Sequence, residues 1–419
     1  MNHKISFRHY STRGRYSGPL SLSLPLLFTI LILTGCVSNR EKDYRASDPR
    51  SARFLLNAME ALHHHSFHLA LELADSAGKY ALNGADAHFF RGRVYSELGR
   101  FNKADSSYLM ALKLRHDYRG VWSNLGNNAF RQQRYRQAIK YYQKELEAHP
   151  APIPLRGIGR TYVELGKIDS ARFTFQQAIE MDDEYAPAYF SLALLEEDEA
   201  NFEKAVQYAE RAFNLELETL EYRYLYASLL VRTGRSEEAV SHFLYVTEKW
   251  PWHHGSHYNL GQAMIQLGRE EEAKEYLEKA EKVRAEQAKI DHLENTVYAL
   301  PDDPISHATL AFAFRRVGRY NDAMHAYKVA KYLDPQNLDI RNNIANLYLI
   351  RNDTTEAINQ YKLILQQDAT FVSVWLNLGV VYALSGEVEA ARNAWKNALK
   401  YEPDNPMAQA YLKKLADTP

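Results

Sequence analysis

Apolar positions in this chain recur every three or four residues, the period of a helix with one buried face. Between Val372 and Asp404 the pattern is clearest. Trp375, Leu378, Gly379 and Tyr382 fall three, one and three apart, which predicts one helix. Ser385-Gly386 is a turn signal, and beyond it Ala391, Trp395, Ala398 and Tyr401 recur at four, three and three until Glu402-Pro403 stops the run. Two antiparallel helices are predicted. Gly379 and Ala391 carry almost no side chain, so the two backbones are expected to approach there, with Trp375 and Trp395 filling the space on either side.

The same arrangement repeats along the chain. The small position of the first helix recurs in equal steps from Gly379 to Ala345 and Ala311, and the register continues at Gly261, Ala227, Ala193, Gly159, Gly126, Gly92 and Ala58. The alanine of the second helix recurs with it, from Ala357 back to Ala70. Ten repeats follow, beginning near Ser51, Ala85, Arg119, Pro152, Ala186, Leu220, His254, Pro304, Leu338 and Val372. Two steps depart from the common period: Arg119 to Pro152 falls one position short of it, and His254 to Pro304 is half as long again.

This spacing of large and small residues resembles the tetratricopeptide repeat (TPR), in which W, L-G, Y, A, F/Y, A and P recur with a period of about 34 residues. The resemblance covers residues 51–404. It implies an all-α fold, a right-handed superhelical solenoid of about ten helix-turn-helix repeats with nearest-neighbour packing. Residues 405–419 would follow as a capping helix, with Met407, Ala410, Tyr411 and Leu415 on one side.

The seventh repeat is irregular. From about Glu270 to Leu300 no Gly or Pro interrupts the chain, which predicts a second helix lengthened by about 16 residues, about 45 Å in all. Val283, Ile290, Leu293 and Val297 keep its apolar stripe. That stripe is read either as a spacer that covers itself or as an arm that docks a partner enzyme or a second copy of the chain.

Residues 1–35 lie outside the repeats. Lys4, Arg8, Arg13 and Arg15 precede an apolar run of 14, Leu20 to Leu33, too short to span a bilayer and flanked like a secretory signal. Leu33-Thr34-Gly35-Cys36 then resembles the lipobox of bacterial lipoproteins, with the sole cysteine of the chain at the acylated position. The resemblance implies a lipid anchor on Cys36, a polar tether over 36–50, and residence at the cell envelope, on the outer membrane facing the periplasm. Without the signal the 51 basic residues fall by four to 47, against 52 acidic, a net charge of −5. Such a balance gives no basic face for nucleic acid.

Little catalytic chemistry is legible. No Gly-rich phosphate loop, G-x-S-x-G or H-E-x-x-H occurs, and no segment outside the repeats is large enough for a catalytic domain. A non-enzymatic protein without a cofactor is expected. His63, His64, His65 and His68 are weak metal candidates, since three adjacent side chains on a turn diverge.

The resemblance also implies that the second, fifth, ninth, twelfth and thirteenth positions of the first helices line a concave groove for a protein or extended peptide. At and beside these positions stand Arg93, Asn124, Asn127, Arg131, Arg156 and Arg160. Arginine pairs with carboxylates and asparagine suits a peptide backbone. An acidic run follows from Glu196 to Glu199. Phe190, Tyr224 and Tyr258 then take the fifth position in three successive repeats, an expected aromatic strip. Together these features predict an envelope-anchored scaffold for assembly of an envelope complex. The alternative is a regulatory subunit of a glycan- or peptidoglycan-processing enzyme, held through the long helix.

Overall fold

The computed structural model describes residues 48–81 and 84–416, so the signal segment 1–35, Cys36 and nearly all of the 36–50 tether lie outside the described residues. Among the described residues there are 21 helices and no strand. None of these helices is long and apolar enough to cross a membrane.

Regular first helices of 13 residues alternate with second helices of 14. Thus α1 (Pro49–His63) and α2 (Phe67–Tyr80) are followed by α3 (Ala85–Glu97) and α4 (Phe101–Leu114), α5 (Val121–Arg131) and α6 (Tyr135–Ala148), and α7 (Pro152–Glu164) and α8 (Ile168–Met181). Next come α9 (Ala186–Asp198) with α10 (Phe202–Leu215), α11 (Leu220–Arg232) with α12 (Ser236–Lys249), and α13 (His254–Gln266) with the 30-residue α14 (Glu270–Ala299). The rest are α15 (Pro304–Arg316), α16 (Tyr320–Leu333), α17 (Leu338–Ile350), α18 (Thr354–Gln367), α19 (Val372–Leu384), α20 (Val388–Tyr401) and α21 (Pro406–Ala416).

One backbone device makes every pair. The fifteenth residue of each repeat is left-handed: glycine at 99, 166, 234, 268, 318 and 386, but His65, Gln133, Ala200 and Asn352 in the other four. Around Gly99, for example, Arg100 N–H donates to Tyr95 O at 2.8 Å and Gly99 N–H to Ser96 O at 3.1 Å, the crossed bonds that close a helix through a left-handed residue. The next helix then starts at once.

The small position of the first helix works differently from expectation. Its missing side chain makes room for a large side chain on the second helix, rather than for the facing backbone. A Cβ on Gly126 would lie 2.6 Å from the Tyr142 ring, and one on Gly159 or Gly379 would overlap Phe175 or Trp395. The ring is thereby enclosed, and Tyr108, Tyr361 and Phe175 are among the most deeply buried side chains.

The chain forms two compact units, one ending at Ala288 and the other beginning at Lys289, so the boundary falls inside α14. In the first unit each second helix packs on the next first helix, and successive first helices touch one another. Its largest core joins Phe213, Leu225, Leu229, Phe243 and Leu260. In the second unit Ile290 is only 1% exposed, set among Leu310, Phe314 and Tyr327, with Leu293 and Val297 packed beside it. Val283, in the first unit, is half-buried. The expectation of an open docking stripe is therefore corrected. Ile290 is a core residue and Leu293 and Val297 are half-buried against the same cluster, because the added turns of α14 serve as the helix on which α15 packs. At the far end α21 covers the last pair, with Tyr411 stacked on Trp395 at 5.0 Å and Ala408 buried.

Candidate functional site

On the first-helix face of the first unit the arginines gather where the register places them. Arg93 on α3, Arg131 at the end of α5 and Arg160 on α7 are exposed, and Arg156 is half-buried. Aromatic rings orient several of them. The Arg131 guanidinium lies 4.9 Å from the Phe101 ring and donates to Ser96 O at 3.1 Å, and that of Arg160 lies 5.1 Å from Phe130. Between Arg131 and Arg93 sits Glu97. Burial raises its pKa, and the two arginines hold it back.

Crowding by protein atoms lowers the pKa of Arg160, and the Arg156 charge adds to the effect. Arg156 has a buried Nε without an acceptor. Beside it are Tyr185 and Tyr222. Burial raises both phenols, in Tyr222 to beyond the ordinary tyrosine range, and the Arg156 charge pulls each back. Both hydroxyls therefore stay protonated donors at neutral pH. Sequence reasoning missed them, since Tyr185 ends the preceding repeat and Tyr222 is third in its own, outside the positions read for the groove.

Asparagines are tied up within the chain more than expected. Asn124 Nδ2 donates to Gly120 O at 2.7 Å, and Asn127 Oδ1 accepts from Tyr142 OH at 2.8 Å. Asn259 Nδ2 reaches back to Ser228 Oγ at 2.6 Å and Tyr224 OH at 3.1 Å, and Asn377 Nδ2 reaches Asn346 Oδ1 at 2.9 Å. The sixth-position amide thus bridges to the fifth and ninth positions of the preceding repeat wherever those offer an acceptor. Ahead of Asn124 those positions hold Phe89 and Arg93, which offer none, and its amide turns to its own helix.

The aromatic strip is corrected as well. Phe190 is half-buried against Tyr222 at 4.8 Å, and Tyr224 is 9% exposed, enclosed by Phe243 and by His253 at 4.5 Å. Of the three, Tyr258 alone is open, at 48%. Nor is the run from Glu196 to Glu199 one acidic surface. Glu196 is buried, accepting from Arg172 Nε at 2.9 Å and Asn201 Nδ2 at 2.8 Å, and Glu197 pairs with Arg232 at 3.3 Å.

Histidines give no site. His63 ends α1, His64 caps it, His65 is the left-handed turn residue and His68 is the second residue of α2. Among the described residues no group of three or more His, Cys, Asp or Glu converges to hold a metal. His253 is a helix cap. Its Nδ1 accepts from Ser256 N at 3.2 Å, its ring stacks on Trp250 at 4.2 Å, and burial drives its pKa down to about 3.

Comparison with known proteins bears on much of the array. Family models described as tetratricopeptide repeat match residues 85–118, 117–184, 156–214 and 348–415, and one described as anaphase-promoting complex, cyclosome, subunit 3 matches 198–280. The chain is similar to the Protein CTR9 homolog of Arabidopsis thaliana, 22% identical over 74% of this chain and 31% of that protein. It is also similar to the TPR repeat-containing protein YpiA of Bacillus subtilis, 21% identical over 67% of this chain and 63% of the other. It therefore spans less than two thirds of either relative. The solved structure of YrrB, described as a TPR protein with an unusual peptide-binding site, is similar over 43% of this chain and 94% of its own, at 25% identity and a TM-score of 0.38. With the repeat register, the paired helices and the matching family models in agreement, the chain is a tetratricopeptide repeat protein.

Proposed function

We propose that this chain is a non-enzymatic interaction scaffold, held at the cell envelope by lipid on Cys36, that binds a segment of a partner protein along the first-helix face of its first unit. TPR proteins are protein-interaction scaffolds as a class. The observation that carries the reading here is the set of arginines at Arg93, Arg131, Arg156 and Arg160, presented on one layer of helices and oriented by rings. Support for the anchor is the sequence Leu33-Thr34-Gly35-Cys36 after an apolar run, with no other cysteine in the chain.

One experiment in intact cells tests both parts. A photo-crosslinking residue replaces Asn127, exposed on the first helix α5, with a control at Gln176, exposed on the second helix α8, and each is made with and without Cys36→Ala. A single partner captured from position 127 and not from 176, together with release of the Cys36→Ala chain from membranes, is expected. Equal capture from both positions refutes the first-helix face. Cys36→Ala chain that still sediments with membranes refutes the lipid anchor.

A further inference from the structure

We infer that Arg156 and Arg160, with the Tyr185 hydroxyl beside them, form an anion site that takes a carboxylate side chain from an acidic stretch of the partner segment. The inference rests on the scaffold reading and gives it a chemistry.

Arg156 and Arg160 lie four residues apart on α7, so their side chains leave the same face one turn from each other. Like charges at that spacing repel. Two other arginines of this unit are neutralised by carboxylates: Arg172 has Glu196 at 2.9 Å and Arg232 has Glu197 at 3.3 Å. Neither Arg156 nor Arg160 belongs to an ion pair among the described residues. Two acids stand near and are engaged otherwise. Glu164, toward Arg160, accepts from Tyr135 OH at 3.4 Å, and Glu216, toward Tyr185, accepts from Thr219 Oγ1 at 2.9 Å.

What remains is a concentration of donors. The Phe130 ring orients the exposed Arg160 guanidinium at 5.1 Å, Arg156 stands half-buried one turn away on the same face, and the Tyr185 hydroxyl beside it keeps its proton. A carboxylate is an acceptor with two oxygens and a charge, and it would relieve the repulsion while meeting those donors. A neutral segment would leave the charges crowded. The surroundings strengthen the attraction, since the same protein atoms that desolvate Arg160 reduce screening of any anion placed there.

The test uses the full chain in detergent micelles and a fluorescent decapeptide of alternating Glu and Ser, read by anisotropy against its Gln-Ser counterpart. The Glu peptide is expected to bind at least about tenfold more tightly, with the preference shrinking as salt is raised. R156Q/R160Q should abolish the preference, R156K/R160K should retain much of it, and Arg136→Gln, an exposed second-helix arginine, should leave it unchanged. Because the pair repels, R156Q/R160Q should not lower the thermal midpoint. A lowered midpoint together with lost preference in the lysine variant would mean a packing role and overturn the site. So would an undiminished preference in R156Q/R160Q, or a Glu peptide that binds no more tightly than its Gln-Ser counterpart. Crosslinked capture from position 127 that persists undiminished in R156Q/R160Q overturns the anion site and leaves the scaffold standing.

Discussion

Ala200 offers a test in which sign and size both follow from one dihedral angle. It is the fifteenth residue of its repeat, with φ at 58°, where six other repeats place glycine. An L-residue with a Cβ pays roughly 1–2 kcal/mol for the left-handed region. Glycine escapes that cost but loses more chain entropy on folding, about 0.5–1 kcal/mol relative to alanine. Ala200 is exposed, so deleting its methyl group removes no core contact. Its turn bonds, Ala200 N–H to Glu197 O at 3.0 Å and Asn201 N–H to Glu196 O at 2.8 Å, involve only backbone and survive the change. Ala200→Gly should therefore stabilise α9 and α10 by about 0.5–1 kcal/mol. Gly166→Ala is the mirror experiment, since a Cβ there meets nothing within 4 Å and φ is 68°, and it should destabilise α7 and α8 by a similar amount. Hydrogen exchange suits the measurement, because an array of this length does not unfold in one step and local protection reports the affected pair. If Ala200→Gly lowers protection, or Gly166→Ala leaves it unchanged, the account of the turn is wrong.

Two further outcomes follow from packing and protonation. Gly159→Leu places a side chain where the Phe175 ring sits and should cost on the order of 1–3 kcal/mol, with exchange quickening in α7 and α8 and their neighbours; uniform quickening through both units would contradict local cores. His253 has a folded pKa near 3 against 6.5 unfolded, so its contribution is complete above about pH 6.5 and declines toward pH 3 as the unfolded state takes up the proton first. The loss should approach about 1.4 kcal/mol per pH unit, and His253→Asn, which keeps a cap acceptor, should flatten it; a urea midpoint equally acid-sensitive in both proteins would refute the neutral cap.

Helix positions were legible because the repeat is written twice, once in apolar spacing and once in the small residues. Predicted starts at Ala85, Pro152, Ala186, Leu220, His254, Pro304, Leu338 and Val372 coincide with observed helix starts. The array differs at Ser51, where the helix already begins at Pro49, and at Arg119, where it begins at Val121 after a left-handed Gly120. Side-chain partnership was not legible. A fifth-position aromatic reads the same in sequence whether it faces solvent, as Tyr258 does, or is enclosed, as Tyr224 is by a histidine from the following turn. The same holds for Ile290. Its periodicity showed that something covers it, and only the second unit's core shows that the cover is α15 and α16. Tyr185 and Tyr222 carried no signal of their own, because their place beside Arg156 arises from contact between repeats.

The pairing of each small position with the side chain it admits from the second helix also constrains how this sequence can change over time. At Gly379 the partner is Trp395, at Gly159 it is Phe175, and at Ala193 the residue in the matching place is only Ala209. A ring is admitted by glycine or by alanine, since Tyr142 faces Gly126 while Tyr361 packs with Ala345. A larger residue at the small position causes overlap, and shrinking the ring alone leaves a void. Glycine and alanine should therefore exchange freely at the small position among relatives of this chain, while anything larger should appear only together with a smaller residue on the second helix.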